Sequence, residues 1–392
     1  NMPIATFSQR FFAGIDSFTL LCIPGFTLAG NLMNQGGISD KLMDFCDKLV
    51  GHLTGGMAYA NIMASMIFAG ISGTALSDTV ALGGIEIPMM VDLGYDADFS
   101  VAVTAASSCM GPIIPPSLPF IMYGVSSGES VSDLFLAGVI PGCLIALIMS
   151  VYTWIYCKKH GEDKAKLKAN AQQLREKGLW QIFKEGFWAL LTPVIILGGI
   201  YSGIVTPTEA ATISVVYALI ISLFVYKTMT FQTLVPITTA SIRSCAPIQL
   251  IVAAAVCFGR ILTMLQVPQT IANALTSTIT SEIVLLLVIN LFLLVVGMMM
   301  ETLAAILILT PIFLPVITAI GMDPIHFGVM MVVNLAIGFV TPPVGVNLYV
   351  ASSLSETPVL SVARHALPYI AMFLLALLLI TFIPSLSLVF VG

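Results

Sequence analysis

"GPIIPPSLP", Gly111 to Pro119, places four prolines in nine residues, inside a stretch otherwise apolar enough to cross a bilayer. A proline lacks the N–H that closes a helical turn, and it disfavours helical dihedrals at the residue before it. The helix must therefore break at a depth where lipid offers the backbone no hydrogen bonds. Such a break is tolerated only where it is buried in protein or lines a wet cavity. Its freed carbonyls are then available to an alkali cation, which needs a cage of oxygens and no particular side chain. Half-helix N-termini at the same break carry N–H groups and partial positive charge, suited to an anion.

The rest of the chain supplies the bilayer context. Of its 392 residues 58% are hydrophobic and 9% charged, where soluble domains carry roughly 25% charged residues. Apolar runs near 18–33, 55–72, 99–124, 134–157, 187–205, 210–226, 245–265, 283–320, 325–351 and 366–391 can each enter or cross a hydrocarbon core of ~30 Å. About nine to eleven helical elements are expected, some of them incomplete crossings. Outer-membrane barrels would show alternating short segments instead, so the expected fold is an all-α polytopic membrane protein. The seven cysteines are scattered singly and the four histidines form no ligand spacing, which argues against a transition-metal site. Residue 1 is asparagine and no cleavable signal peptide opens the chain, so a preceding segment is expected.

Eight of the fifteen Lys and Arg residues fall between Lys158 and Lys184. The positive-inside tendency makes this helix-prone stretch, 158–186, a cytoplasmic amphipathic connector between two hydrophobic halves, 1–157 and 187–392. Counting crossings outward from it sends 99–124 and 325–351 through the membrane in opposite directions. The same two regions share punctuation at a fixed offset of 227 residues. Gly70, Pro88, Gly94, Asp96, Gly111, Pro115 and Pro116 recur as Gly297, Pro315, Gly321, Asp323, Gly338, Pro342 and Pro343. Shared Gly and Pro mark shared backbone features, so the pattern reads as an inverted-topology repeat of the kind found in secondary transporters.

Each half carries two interruptions. "AGISGTALSD" (69–78) and "VGMMMETLAA" (296–305) read as tips of re-entrant helical hairpins, spanning about 55–93 and 283–320. "GPIIPPS" (111–117) and "GFVTPPVG" (338–345) read as unwound points of broken helices, about 96–124 and 323–351.

These features closely resemble the large membrane subunit of tripartite ATP-independent periplasmic (TRAP) transporters. The likeness rests on "SFTLLCIPGFTLAGNLM" (17–33), "MIFAGISGTALSDTVALG" (66–83), "VTAASSCMGPIIPPSLPFIMYG" (103–124), "DLFLAGVIPG" (133–142), "LLTPVIILGGIYSGIVTPTEAA" (190–211), "METLAAILILTPIFLP" (300–315) and "GMDPIHFGVMMVVNLAIGFVTPPVGVNLYVAS" (321–352). They cover almost the whole chain in the family's order. The family usually has one more apolar helix before "FFAGIDSF" (11–18). The resemblance implies an elevator-type, sodium-coupled importer of organic acids such as C4-dicarboxylates or sialic acid, in the bacterial inner membrane. It also implies two partners besides the lipid bilayer: a small four-helix membrane subunit, separate or fused upstream, and a periplasmic substrate-binding protein. No nucleic-acid partner is expected.

Carried over residue by residue, the resemblance places two sodium ions. The first would use Ser72, Gly73, Gly111, Ile114 and Pro116, the second Gly297, Gly338, Thr341 and Pro343, mostly through main-chain carbonyls. Substrate would sit between the hairpin tips within reach of Ser72, Ser77, Asp78, Ser117, Glu301, Thr302 and Asn347. Many family members have aspartate at the position of Glu301.

Ionisable residues at membrane depth are functional suspects by default. Asp78 and Glu301 can complete a cation site, orient substrate or cap a half-helix, whereas Glu209 in "TPTEAA" (206–211) reads first as a capping residue. Arg260 reads as snorkelling to the interface, and Trp154, Trp180 and Trp188 as interface anchors. No nucleophile–base constellation or H-E-x-x-H motif is read, so enzymatic activity is not expected. The competing reading is a stand-alone sodium-coupled carboxylate symporter that needs no binding protein.

Overall fold

The computed structural model describes residues 4–160, Lys166, Gln172 and 179–391, and among the described residues it contains helices and no strand. The first half runs α1 (Ile4–Ile15), α2 (Cys22–Gln35), α3 (Ile38–Val50), α4 (Gly56–Ser72), α5 (Ala75–Asp92), α6 (Ala97–Ser107), α7 (Leu118–Ser127) and α8 (Val131–His160). The second half comprises α9 (Leu179–Tyr201), α10 (Pro207–Ile220), α11 (Phe231–Met264), α12 (Val267–Thr278) and α13 (Glu282–Gly297). It continues through α14 (Thr302–Ala319), α15 (Pro324–Ile337), α16 (Val346–Ser355), α17 (Val359–Phe382) and α18 (Ser385–Leu388). Most of the stretch read as a connector lies outside the described residues.

The offset seen in the sequence recurs in the helices. Helices α5 and α14 stand 227 residues apart at both ends, and α6 and α15 begin 227 apart. The shared G-x-D signal explains the second correspondence. Gly94 (φ 94°) and Gly321 (φ 76°) adopt the left-handed conformation after α5 and α14, where a side chain would be strained. Two residues later an aspartate caps the next helix. Asp96 Oδ1 accepts from Phe99 N at 2.9 Å, and Asp323 Oδ1 from Ile325 N at 2.8 Å and His326 N at 3.1 Å.

Both broken helices occupy the interior. Phe99–Ser107 of α6 and Ile325–Ile337 of α15 are buried without exception. Each ends in a short 3-10 turn, Ser108–Met110 or Gly338–Val340, before the chain unwinds and resumes as α7 or α16. The first break is enclosed by protein, whereas at the second Pro342, Pro343 and Val344 are exposed and Val344 borders a cavity, the two settings in which broken backbone is tolerated in a bilayer. The Pro115–Pro116 and Pro342–Pro343 peptide bonds are both cis.

Around this centre α4 and α5 pack on α6, and α13 and α14 on α15. Helices α3 and α12 lie against the two hairpins, α3 on α4 and α12 on α14. Helix α2 packs along α10 and α11 and reaches α4. At the start of α6, Phe99 stacks on Tyr156 with centroids 4.0 Å apart, and Tyr152 meets Tyr369 edge-on at 4.9 Å. These rings join α6, α8 and α17, each aromatic pair adding about 0.5–1.5 kcal/mol beyond its buried area.

Among the described residues five helices are long and apolar enough to cross a membrane: Val131–His160, Pro207–Val225, Phe231–Met264, Thr302–Ala319 and Val359–Phe382. Exposed large apolar residues such as Leu147, Val151, Val235, Ile242, Leu250 and Leu367 lie on them, as expected for surfaces facing lipid.

Among the described residues there are eighteen α-helices rather than the about nine to eleven elements expected. Hairpins and breaks divide single apolar runs, and α1, α3 and α12 lie outside every expected run and hairpin. A boundary differs as well. The run expected at 245–265 belongs to a single helix that begins at Phe231. The polar stretch before Cys245 conceals it, yet its hydroxyls are satisfied within the helix. Thr239 Oγ1 donates to Val235 O at 2.8 Å and Ser241 Oγ to Ile237 O at 2.9 Å, the i−4 pattern open to Ser and Thr.

Candidate functional site: a cavity between two hairpin tips and two helix breaks

Each tip touches the break of its own half through glycine. In the first half Gly73 (φ 65°) ends α4, and its carbonyl accepts from Leu118 N at 3.2 Å. A Cβ on Gly73 would lie 2.6 Å from Pro116 O, and one on Gly111 2.7 Å from Thr74 O. No side chain fits at either point. In the second half a Cβ on Gly338 would collide with Gly297 O, and one on Gly297 would lie 3.1 Å from Leu335 Cα. Thr341 Oγ1 donates to Ile337 O at 2.6 Å, so its hydroxyl is already engaged. Ile114 N returns to Met110 O at 2.8 Å. Thus Gly73, Gly111 and Pro116 come together, as do Gly297 and Gly338.

Both regions hold oxygen acceptors that no protein donor satisfies. Asp78 Oδ2, one turn into α5, is buried without a hydrogen-bond partner, although Ser72 Oγ donates to Asp78 Oδ1 at 2.5 Å. Asn334 Oδ1, one turn before Gly338, is likewise buried and unpartnered. No cluster of three or more His, Cys, Asp or Glu side chains exists among the described residues. Asp78 Oδ2 and Asn334 Oδ1 are oxygen donors, the ligand type that hard cations take.

A cavity of about 330 Å³ separates the tips. Its walls include Thr74, Ala75, Leu76 and Ser77 at the start of α5, Leu118 and Pro119 at the start of α7, Glu301, Thr302 and Leu303 at the start of α14, and Val346 at the start of α16. Four helix N-termini therefore open onto one space. Each such end carries about half a positive charge, and first-turn N–H groups have no intrahelical partner. At α7, however, Leu118 N and Phe120 N are already engaged and Pro119 has no N–H, so that end contributes its dipole alone. Among the described residues no Lys or Arg lines the cavity, and Glu301 is its only charged side chain. The carboxylate caps α14, with Glu301 Oε2 accepting from Ala304 N at 2.9 Å.

Of the residues assigned to substrate from sequence, Ser77, Glu301 and Thr302 line the cavity. Ser72, Asp78, Ser117 and Asn347 do not; they are buried behind its wall. Ser117 Oγ caps α7 by accepting from Phe120 N at 3.2 Å, and it donates to Pro112 O. Asn347 Nδ2 donates to Ala105 O at 3.3 Å.

The structure adds a wall that sequence reasoning missed: Thr27 and Asn31 from α2, and Ser244 and Ile248 from α11. The available signal was Asn31, an amide inside the apolar "TLAGNLM" (27–33). Met298, Met299 and Met300 complete the second tip, where flexible thioethers adapt readily to different ligands.

Two further sequence features resolve structurally. Glu209 forms a capping box with Thr206: Thr206 N donates to Glu209 Oε2 at 2.8 Å, and Glu209 N to Thr206 Oγ1 at 3.3 Å. "GVSSG" (124–128) matches the G-x-S-x-G spacing of hydrolases. The serine in the motif's nucleophile position, Ser126, lies inside the C-terminal turn of α7, however, whereas a nucleophile elbow joins a strand to a helix.

Comparison with known proteins agrees with this architecture. The family described as "Tripartite ATP-independent periplasmic transporter, DctM component" matches residues 1–386. The isethionate TRAP transporter permease protein DctMQ of Oleidesulfovibrio alaskensis is 43% identical over the whole chain, which spans 61% of that protein's length. The sialic acid TRAP transporter large permease protein SiaM of Vibrio cholerae is 43% identical over 97% of this chain and 88% of its own. Among solved structures, the YdaH transporter of Alcanivorax borkumensis superposes with a TM-score of 0.70 at 17% identity, covering 96% of this chain and 87% of that one. MtrF of Neisseria gonorrhoeae gives the same TM-score at 15% identity, covering 96% and 83%; these two likenesses concern the fold. With the family match and relatives aligned over 97–100% of this chain in agreement, the chain belongs to the DctM component family of tripartite ATP-independent periplasmic transporters.

Proposed function

We propose that the chain is the large permease of a sodium-coupled importer that carries an organic-acid anion across the bacterial inner membrane. The observation that carries this reading is the cavity bordered by four helix N-termini and by no cationic side chain. Backbone N–H groups and helix dipoles can hold a carboxylate or sulfonate in a low-dielectric site. Fixed charges of Lys or Arg would also bind an anion, but they would need to be paired or hydrated once the loaded site moved. Relatives are named as permeases of isethionate, sialic acid and C4-dicarboxylates, anions of this kind.

In this reading two sodium ions bind where each tip meets its break, the first near Ser72, Gly73, Gly111, Ile114 and Pro116, the second near Gly297, Gly338, Thr341 and Pro343. Asp78 Oδ2 and Asn334 Oδ1, the buried oxygens without donors, support that placement. Ser77 and Thr302 contact substrate, while Ser72, Asp78, Ser117 and Asn347 shape the wall from behind. The halves 1–157 and 187–392 form oppositely oriented repeats, and the hairpins with their broken helices move as one body against α2, α10 and α11. A small four-helix membrane subunit holds that static part, and a periplasmic binding protein delivers the substrate.

Each sodium entering down 100 mV contributes roughly 2.3 kcal/mol before its concentration gradient is counted. Two ions with one monoanion make the import electrogenic. The test is reconstitution in vesicles with the small subunit and candidate binding proteins, with and without sodium, at imposed potentials. Uptake should require sodium and the binding protein and should rise when the interior is made negative. Uptake that proceeds at full rate without sodium would overturn the coupling. Sodium-dependent uptake needing no binding protein would instead favour a stand-alone carboxylate symporter.

A further inference from the structure

The wall opposite the hairpin tips carries an amide whose orientation is fixed by a chain of hydrogen bonds. Ser241 Oγ donates its single hydrogen to Ile237 O at 2.9 Å. It can therefore only accept from Asn31, and Asn31 Nδ2 donates to it at 2.8 Å. Turning the amide over would draw the Ser241 hydrogen away from Ile237 O, so in the observed arrangement the amide oxygen is the free end. Among the described residues Asn31 Oδ1 has no protein hydrogen bond, and Asn31 lines the cavity. The N-termini of α5, α14 and α16 offer donors, whereas this wall offers an acceptor.

The geometry points to Asn31 as a specificity-determining residue that accepts a hydrogen bond from a hydroxyl of the substrate, with Ser241 as the residue that positions it. The preferred cargo is then a hydroxylated organic acid, its anionic group at the helix N-termini and its hydroxyl hydrogen directed to Asn31 Oδ1. This deepens the proposed function and rests on it. An analogue lacking the hydroxyl leaves Asn31 Oδ1 unpaired in the loaded cavity. A keto analogue does worse, because it brings a second acceptor against the first.

The experiment titrates the purified complex of this chain with its small subunit, in sodium and without the binding protein. Ligand-induced thermal stabilisation is followed up to millimolar concentrations. Isethionate is compared with ethanesulfonate, malate with succinate, and 2-hydroxyglutarate with 2-oxoglutarate. In at least one pair the hydroxylated acid should bind about ten-fold more tightly. Asn31→Leu should bring that ratio to about one. Ser241→Ala, which lies behind the wall and loses only a hydroxyl, frees the amide to rotate. It should narrow the hydroxy-to-keto ratio more than the hydroxy-to-deoxy ratio, because a freed Nδ2 can serve a keto oxygen. A merely structural role for Asn31 would not separate the two ratios. Equal binding within every pair by the unmodified complex, or ratios unchanged in both variants, would overturn the assignment. If no organic acid stabilises the complex at all, the proposed function fails and this inference with it. Binding of acids without discrimination defeats the Asn31 assignment alone.

Discussion

Asn334 Nδ2 donates to both Asn290 O, at 2.9 Å, and Asn290 Oδ1, at 2.8 Å, joining the second broken helix to the first arm of its hairpin. The counterpart of Asn334 at the 227-residue offset is Ser107, whose Oγ donates to Asn61 Oδ1 at 2.7 Å on α4. Both halves therefore fasten hairpin to broken helix by a buried polar contact, made by different side chains.

Removing that contact should loosen the second half. Asn334→Leu leaves the buried Asn290 Oδ1 without its donor, at about 1–3 kcal/mol for an unsatisfied group, while Asn290 O keeps its helical partner. The apparent melting temperature of the purified complex is expected to fall by several degrees. Asn334→Asp should fare no better, since a carboxylate cannot donate to Asn290. A melting temperature unchanged in both variants would remove the fastening role.

Glycine substitutions should sort by the space the structure gives them. Gly338→Ala drives a methyl into Gly297 O, and Gly73→Ala both meets Pro116 O at 2.6 Å and imposes a side chain at φ 65°. Each should abolish uptake or prevent assembly, because the opposing atom is backbone and cannot move aside. Gly84 lies within α5 with nothing within 4 Å of an added Cβ. Gly84→Ala should be neutral or stabilise by about 0.5–1 kcal/mol through helix propensity. Thermal melts and vesicle uptake of the three variants together would reveal any reversal of this order.

Glu301 separates capping from charge. Glu301→Gln keeps an oxygen that can accept from Ala304 N, whereas Glu301→Ala removes the cap at a cost of about 1 kcal/mol. With its only charged side chain neutralised, the cavity of the Gln variant should hold an anion as tightly as the unmodified chain or more so. The Ala variant should be less stable. Loss of anion binding in Glu301→Gln, measured by stabilisation titration, would show that the carboxylate itself is needed.

Asp78→Asn tests the proposed first cation site. The amide oxygen can still accept from Ser72 Oγ, while the unpartnered Oδ2 is replaced by a donor that repels a cation. The sodium concentration for half-maximal uptake is expected to rise about ten-fold or more. An unchanged sodium dependence would detach Asp78 from ion binding.

Much of the fold was legible because its signals are local. Gly94-x-Asp96 and Gly321-x-Asp323 end one helix and cap the next through adjacent residues, and the paired prolines break α6 and α15 without help from distant chain. Composition fixed the solvent as lipid, since an apolar surface with few charges is stable only there. Tertiary structure decided which polar side chains meet in the cavity. Ser72, Asp78, Ser117 and Asn347 are as polar as Ser77 and Thr302, yet they face inward behind the wall. Asn31 is aligned by Ser241, 210 residues away, and Asn347 is engaged by Ala105, 242 residues away. Backbone breaks follow from dihedral limits between neighbours, whereas the facing of a side chain on a buried helix depends on how remote helices cross and pack against it.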